Sequence, residues 1–169
     1  LLLKMLKKEP RNFSVLNNLG LACYELKDEE QAEKYYNEAI SLNPNFPDPL
    51  VNLGNLKMTQ NKNEESKNLF EKALKINDKI IPAKIALAGY HEQSGNFIEA
   101  KKIYNDVLEI NPKYTIADKS LSLIHKYKSS DGHIKAMEEK LTKDIDEEDA
   151  KRLNFALGKA YEDIGDFKR

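Results

Sequence analysis

Apolar positions along this chain recur with helical spacing between polar turns, and the small ones among them keep a fixed step. Gly20, Gly54, Ala88 and Ser122 follow one another at 34-residue intervals, each directly after a leucine. The neighbouring positions repeat in register. The first stretch reads Leu19-Gly20-x-x-Cys23, Ala32, Tyr36, Ala39 and Pro44; the second reads Leu53-Gly54, Ser66, Phe70, Ala73 and Asp78; the third reads Leu87-Ala88, Gly95, Ala100, Tyr104, Val107 and Pro112. A unit of this length cannot bury its own apolar face and must stack on copies of itself, so the pattern predicts an all-α solenoid. Function in such an array lies on surfaces rather than in a catalytic cleft.

Each slot has a physical reason. Small residues at Gly20, Gly54, Ala88 and Gly158, and at Ala32, Ala39, Ala73 and Ala100, mark places where two helix axes come too close for a larger side chain. Tyr36, Phe70 and Tyr104 fill the space beside them. Asp28-x-x-Gln31 and Asn96-x-x-Glu99 have the capping-box form, and Gly95 suits the left-handed turn that ends a helix. Pro44 and Pro112 stop the second helices. This set of slots resembles the tetratricopeptide repeat, whose pattern is a Leu-Gly pair, a Tyr, an Ala, an aromatic, a second Ala and a closing Pro. The resemblance implies a right-handed superhelical solenoid of antiparallel helix pairs.

The period also acts as a ruler for domain organisation. Stepping back 34 residues from Pro44 reaches Pro10, so residues 1–12 are expected to be the second helix of a truncated upstream repeat. Repeats follow at 13–46, 47–80 and 81–114, then a degenerate repeat with an acidic linker at 115–150, then the first helix of a truncated repeat at 151–169. This reading makes the chain a fragment of a longer protein. Its uncapped ends, with Leu2, Leu3, Met5 and Leu6 at one of them, are open to self-association.

Composition narrows the partners. Charged residues make up 33% of the chain and the net charge is −1, which leaves no field to attract nucleic acid or an anionic membrane. The basic residues are nearly all lysines, Arg11, Arg152 and Arg169 being the arginines, so bidentate phosphate recognition is lacking. The single Cys23 excludes an intrachain disulfide and no apolar run is long enough for a membrane span, which points to a cytoplasmic protein. No cofactor or metal is implied.

The fourth unit departs from the pattern. Its first helix carries Ala117, Leu121, Ser122, Leu123 and Ile124, but the second is interrupted by Lys128-Ser129-Ser130-Asp131-Gly132-His133 before Ile134 to Leu141. An acidic link from Asp144 to Asp149 follows, in which Asp146-x-x-Asp149 caps the next helix. Leu121-x-x-Ile124-His125-Lys126-Tyr127, Asp131, His133-Ile134-x-x-Met137-Glu138 and the stretch from Leu153 to Phe167 are similar to the repeat region ahead of the catalytic domain in bacterial sulfotransferases that carry tetratricopeptide repeats. That resemblance implies an array that positions an acceptor for a downstream sulfotransferase domain. A glycosyltransferase with similar repeats, or a scaffold with no attached enzyme, is the alternative.

The chain itself has no catalytic set. Gly-x-Ser-x-Gly, two-histidine helix motifs and glycine-rich phosphate loops are missing. His91 and His125 share one slot with Cys23, Lys57 and Tyr161, a slot facing the interior between helices. Equivalent slots in adjacent units lie about 10 Å apart, too far for joint ligation of a metal. The ammonium of Lys57 is expected to snorkel past its aliphatic stem to water.

The concave surface remains, lined by the first helix of every unit. Its expected residues, at i, i+4 and i+7 off the packed stripe, are Asn17, Leu21 and Tyr24; Val51, Asn55 and Met58; Ile85, Gly89 and Glu92; Lys119, Leu123 and Lys126; Phe155, Lys159 and Glu162. Asn18 and Asn52 occupy one recurring slot, where side-chain amides can pair with the backbone of an extended peptide. The face is apolar and amide-rich early, then basic, and suits a peptide or protein partner. The clamp by which some relatives hold a chaperone's C-terminal tail needs Lys and Arg where this chain has Asn17, Leu21 and Ala86, which disfavours that ligand.

Overall fold

The computed structural model describes residues 11–166. The expected upstream helix with Leu2, Leu3, Met5 and Leu6, and Phe167 at the other end, lie outside the described residues. Among the described residues there are nine helices and no strand: α1 (Phe13–Glu25), α2 (Glu29–Leu42), α3 (Asp48–Thr59), α4 (Asn63–Ile76), α5 (Ile81–Gln93), α6 (Phe97–Ile110), α7 (Thr115–Ile124), α8 (Gly132–Leu141) and α9 (Glu147–Ile164). The chain divides after Tyr90 into two compact units.

In the first unit α1 packs on α2 and α3 on α4, while α3 also packs on α2 and α1. Stacked helix hairpins result, as the periodicity predicts. Their closeness is set by glycine. A Cβ added at Gly20 would stand 2.6 Å from the Tyr36 ring, and one at Gly54 would stand 2.5 Å from the Phe70 ring. Only a bare backbone admits rings at that distance. Tyr36 and Phe70 are consequently 1% and 0% exposed, with Ala32, Ala39 and Ala73 fully buried beside them. Burying a ring of this size contributes about 1.5–3 kcal/mol. Burial, with Tyr24 and Cys23 nearby, also pushes the Tyr36 hydroxyl pKa up to about 12.

Turn chemistry sets the helix ends. Asp28 accepts the N–H of Gln31 at 3.2 Å and Asn96 that of Glu99 at 3.3 Å, so both expected caps form. Gly95, at φ +76°, takes the left-handed conformation ahead of α6. Helices α2, α4 and α6 end on Asn43, Asn77 and Asn111, and each asparagine side chain accepts the N–H two residues on.

Lys57 corrects an expectation. It is 5% exposed, and its ammonium donates to Glu33 Oε1 at 2.5 Å instead of reaching water, with Glu65 at 3.8 Å. A carboxylate 24 residues earlier, on α2, compensates the buried charge more directly than solvent would.

In the second unit α7 packs on α6 and α9, and α8 packs on α9. Helix α7 stops early because His125 turns extended (φ −97°, ψ 134°). The chain then drops Tyr127 into a core with Ile134, Met137, Leu153, Ala156, Leu157 and Ala160. Asp131 caps α8 through the His133 N–H at 3.0 Å, and Asp146 caps α9 through the Asp149 N–H at 2.8 Å. Gly158 departs from the reading that its small size marks a close approach, since it is exposed and a Cβ there would meet nothing within 4 Å.

Gly54→Ala is expected to lower stability by about 1–3 kcal/mol, because the Phe70 ring must move. Gly158→Ala is expected to raise it by about 0.5–1 kcal/mol through reduced backbone entropy loss in a helix. Urea-unfolding midpoints read both, and shifts of the same sign would refute the contrast. By the same measurement Glu33→Ala, which leaves a buried ammonium with only the 3.8 Å contact to Glu65, should cost more than Lys57→Met, which leaves a carboxylate that is 34% exposed.

Candidate functional site

In the first unit the expected residues differ in exposure, and one pair of amides among them is joined across two helices. On α1, Asn18 and Leu21 are exposed and Tyr24 is half-buried; on α3, Asn52, Asn55 and Met58 are half-buried, as is Ile85 on α5. Asn17 and Val51 are buried, at 7% and 6%. Asn52 Nδ2 donates to Asn17 Oδ1 at 2.9 Å, which joins α1 to α3. The amide pair that forms is therefore Asn17–Asn52, and Asn18, in the same repeat slot as Asn52, stays at the surface. Once paired, Asn52 keeps its carbonyl oxygen and one N–H for another partner. Leu21, 42% exposed, is the most prominent apolar group on this surface.

In the second unit α7 and α9 form a face of different character. Lys119 is exposed on α7 with its ammonium 5.3 Å from the centre of the Phe155 ring on α9, and Leu123 and Phe155 are 55% and 50% exposed. Lys126, expected on the first helix, lies beyond its end because α7 stops at Ile124. It still reaches α9. Asp163 accepts from Lys126 Nζ at 2.7 Å, from Lys159 Nζ at 2.9 Å and from the Tyr127 N–H at 3.2 Å. The Lys126 and Lys159 ammonium groups and the Tyr127 N–H hold the Asp163 carboxyl well below the usual carboxylate range. Glu92 is half-buried and bonded to Tyr104, and burial raises its pKa.

A buried polar cluster lies in the same unit, around residues whose role sequence reasoning missed. Asp118, fully buried, accepts from Lys140 Nζ at 2.6 and 2.7 Å and bonds His133 Nε2 at 2.9 Å. His133 Nδ1 bonds the Tyr127 hydroxyl at 2.8 Å, and His125 Nε2 bonds Asp131 Oδ2 at 2.5 Å. His125 is therefore held at the loop rather than in the interior slot, its side chain 25% exposed. The cluster pins the 125–131 loop. Both carboxylate oxygens of Asp118 are engaged, Oδ1 by Lys140 and His133 and Oδ2 by Lys140. A hollow of about 600 Å³ nearby sets Lys113, Lys140 and Lys143 against Asp144, Asp146 and Asp149. No helix among the described residues is long and apolar enough to cross a membrane.

Known proteins place this geometry. A family model described as Tetratricopeptide repeat matches residues 13–46, and a second with the same description matches 47–80 and 81–114. No curated protein matches the chain. Among solved structures, MamA superposes with a TM-score of 0.65 at 20% identity, over 95% of this chain and 85% of that chain. The first TPR of Spaghetti (RPAP3), bound to the HSP90 peptide SRMEEVD, gives 0.63 at 21% identity over 66% and 89%. YrrB, a TPR protein with an unusual peptide-binding site, gives 0.70 at 16% identity over 98% and 93%. At these identities the likeness is one of fold.

The Asp163 contacts carry a signed pH dependence. Its folded pKa lies below the unfolded value of about 3.9, so its stabilisation is complete above that value and is lost as pH falls through the folded pKa. The stability gap between the native chain and Asp163→Asn should be level from about pH 7 to pH 5 and shrink on further acidification. Thermal unfolding across that range reads it. A gap that stays level to about pH 2 would sink this account.

Proposed function

We propose, from the premise that this chain belongs to the tetratricopeptide repeat family, that it is a protein-interaction module holding an extended peptide along the first-helix faces. The observation that carries this reading is the preformed Asn17–Asn52 amide pair joining α1 to α3, with Leu21 exposed one helical turn from Asn17 and with Tyr24 and Met58 half-buried further along the same two helices. Apolar side chains of a peptide would pack on Leu21, Tyr24 and Met58, and the free groups of Asn52 would meet its backbone. Two relatives of the same fold support peptides as ligands, one bound to an HSP90 peptide and one with a peptide-binding site of its own. The basic clamp for a chaperone tail is missing at Asn17, Leu21 and Ala86, which argues for a different peptide.

The units of this module are read as repeats at 13–46, 47–80 and 81–114, an irregular repeat at 115–150, and the first helix of a further one from 151, preceded by a second helix at 1–12. In the fuller reading the array positions an acceptor for a sulfotransferase domain in the cytoplasm. The likeness of the segments between Leu121 and Phe167 to the repeat region of such enzymes supports it.

Peptides selected from a displayed random library against the chain should lose at least about ten-fold in affinity to Leu21→Ala with Met58→Ala, the size expected when two central apolar contacts are truncated. Selected peptides that bind this double variant as well as the native chain would refute the first-unit surface as the site.

A further inference from the structure

The α7–α9 face has a charge balance that the first-unit surface lacks. Lys119, Lys126 and Lys159 supply three ammonium groups against the carboxylates of Glu162 and Asp163. Asp163 is enclosed, its side chain 2% exposed, and is shared by Lys126 and Lys159, so one negative charge answers two positive ones. Glu162 lies 3.5 Å from Lys159. Lys126, although bonded to Asp163, keeps its side chain 80% exposed, and its remaining N–H groups face water. Lys119 is held over the Phe155 ring.

Near these cations lie two large apolar side chains, Leu123 and Phe155, each at least half exposed. Lys119 and Leu123 are one helical turn apart on α7, and Phe155 and Lys159 one turn apart on α9, so apolar and cationic groups alternate along both helices. An occupant that matches both features needs carboxylates flanking an apolar side chain. Nucleic acid fits less well, because the face has no arginine to grip phosphate in bidentate fashion.

We infer that the α7–α9 face binds an acidic protein segment carrying a central leucine or phenylalanine. The inference rests on the peptide-binding reading above and adds the partner's chemistry at a second surface. Carboxylates of the segment bond Lys119 and Lys126, and its apolar side chain covers Leu123 and Phe155.

The test titrates the whole chain into fluorescent Asp-Glu-Asp-Leu-Phe-Glu-Asp-Glu and follows anisotropy. Its controls are Asn-Gln-Asn-Leu-Phe-Gln-Asn-Gln, the acidic peptide with Leu-Phe replaced by Ser-Ser, and an oligothymidine. The acidic Leu-Phe peptide should bind best and weaken as salt screens the charges. Lys119→Glu and Phe155→Ala, both at exposed positions, should each weaken it by about ten-fold, whereas Leu21→Ala with Met58→Ala should leave it unchanged. Equal binding of the amide peptide or the oligothymidine, or indifference to Lys119→Glu, overturns the inference. So does a lack of binding by the acidic peptide. If library-selected peptides still depend on Leu21 and Met58 in that case, the first-unit reading stands while this one falls.

Discussion

The contact of an aromatic ring with a bare helix backbone governs this molecule. Tyr36 against Gly20 and Phe70 against Gly54 bring paired helices to a distance that no side chain at the glycine would permit. At that distance the alanines on the partner helix are sealed from water, and the whole hairpin becomes one packed unit. The next hairpin must present its own apolar stripe to the remaining face. The 34-residue period is the covalent record of that geometry, since the same ring and the same glycine must return in the same orientation.

Where the ring is missing the fold finds another. The irregular fourth pair has no aromatic on its second helix at the expected slot, and Tyr127, from the connecting loop, fills the core of the second unit instead. Placing that ring requires α7 to end at Ile124 and the loop to be pinned. Asp118, His133 and Lys140 supply the pinning from inside, and Asp163 supplies it from the α9 side. A buried carboxylate of this sort would be costly if left alone, which is why it arrives with a lysine and a histidine already bonded.

Features that depend on neighbours along the chain were legible from residues alone. The caps at Asp28, Asn96 and Asp146, the turn at Gly95 and the sockets at Gly20 and Gly54 are each local, or repeat in register, and so leave a pattern. Features that join distant residues left none. Lys57 finds Glu33 across 24 positions, Lys140 finds Asp118 across 22 and Lys126 finds Asp163 across 37. An isolated lysine in an interior slot signals an unmet charge, but the sequence does not say whether water or a carboxylate meets it. Gly158 shows the converse: a residue type that marks close packing elsewhere stands here with open space beside it.

The surfaces differ because packing leaves the off-stripe positions of the first helices unconstrained. Most buried slots on α1, α3, α7 and α9 are small or apolar, as Gly20, Gly54, Ala117 and Ala156 show, and the polar Asn17, Lys57 and Asp118 are each bonded to a partner on another helix. Outside that stripe, α1 and α3 carry amides and aliphatics while α7 and α9 carry lysines. The second face is shaped by the fold as well as by composition. The early end of α7, where His125 turns extended, puts Lys126 on the loop where it meets Lys159 across one enclosed carboxylate. A regular helix would have carried Lys126 about 4.5 Å beyond Leu123 along its own axis. The break that looks like decay of the repeat thus draws three cations around two exposed apolar side chains, an arrangement that the regular pairs in this chain do not offer.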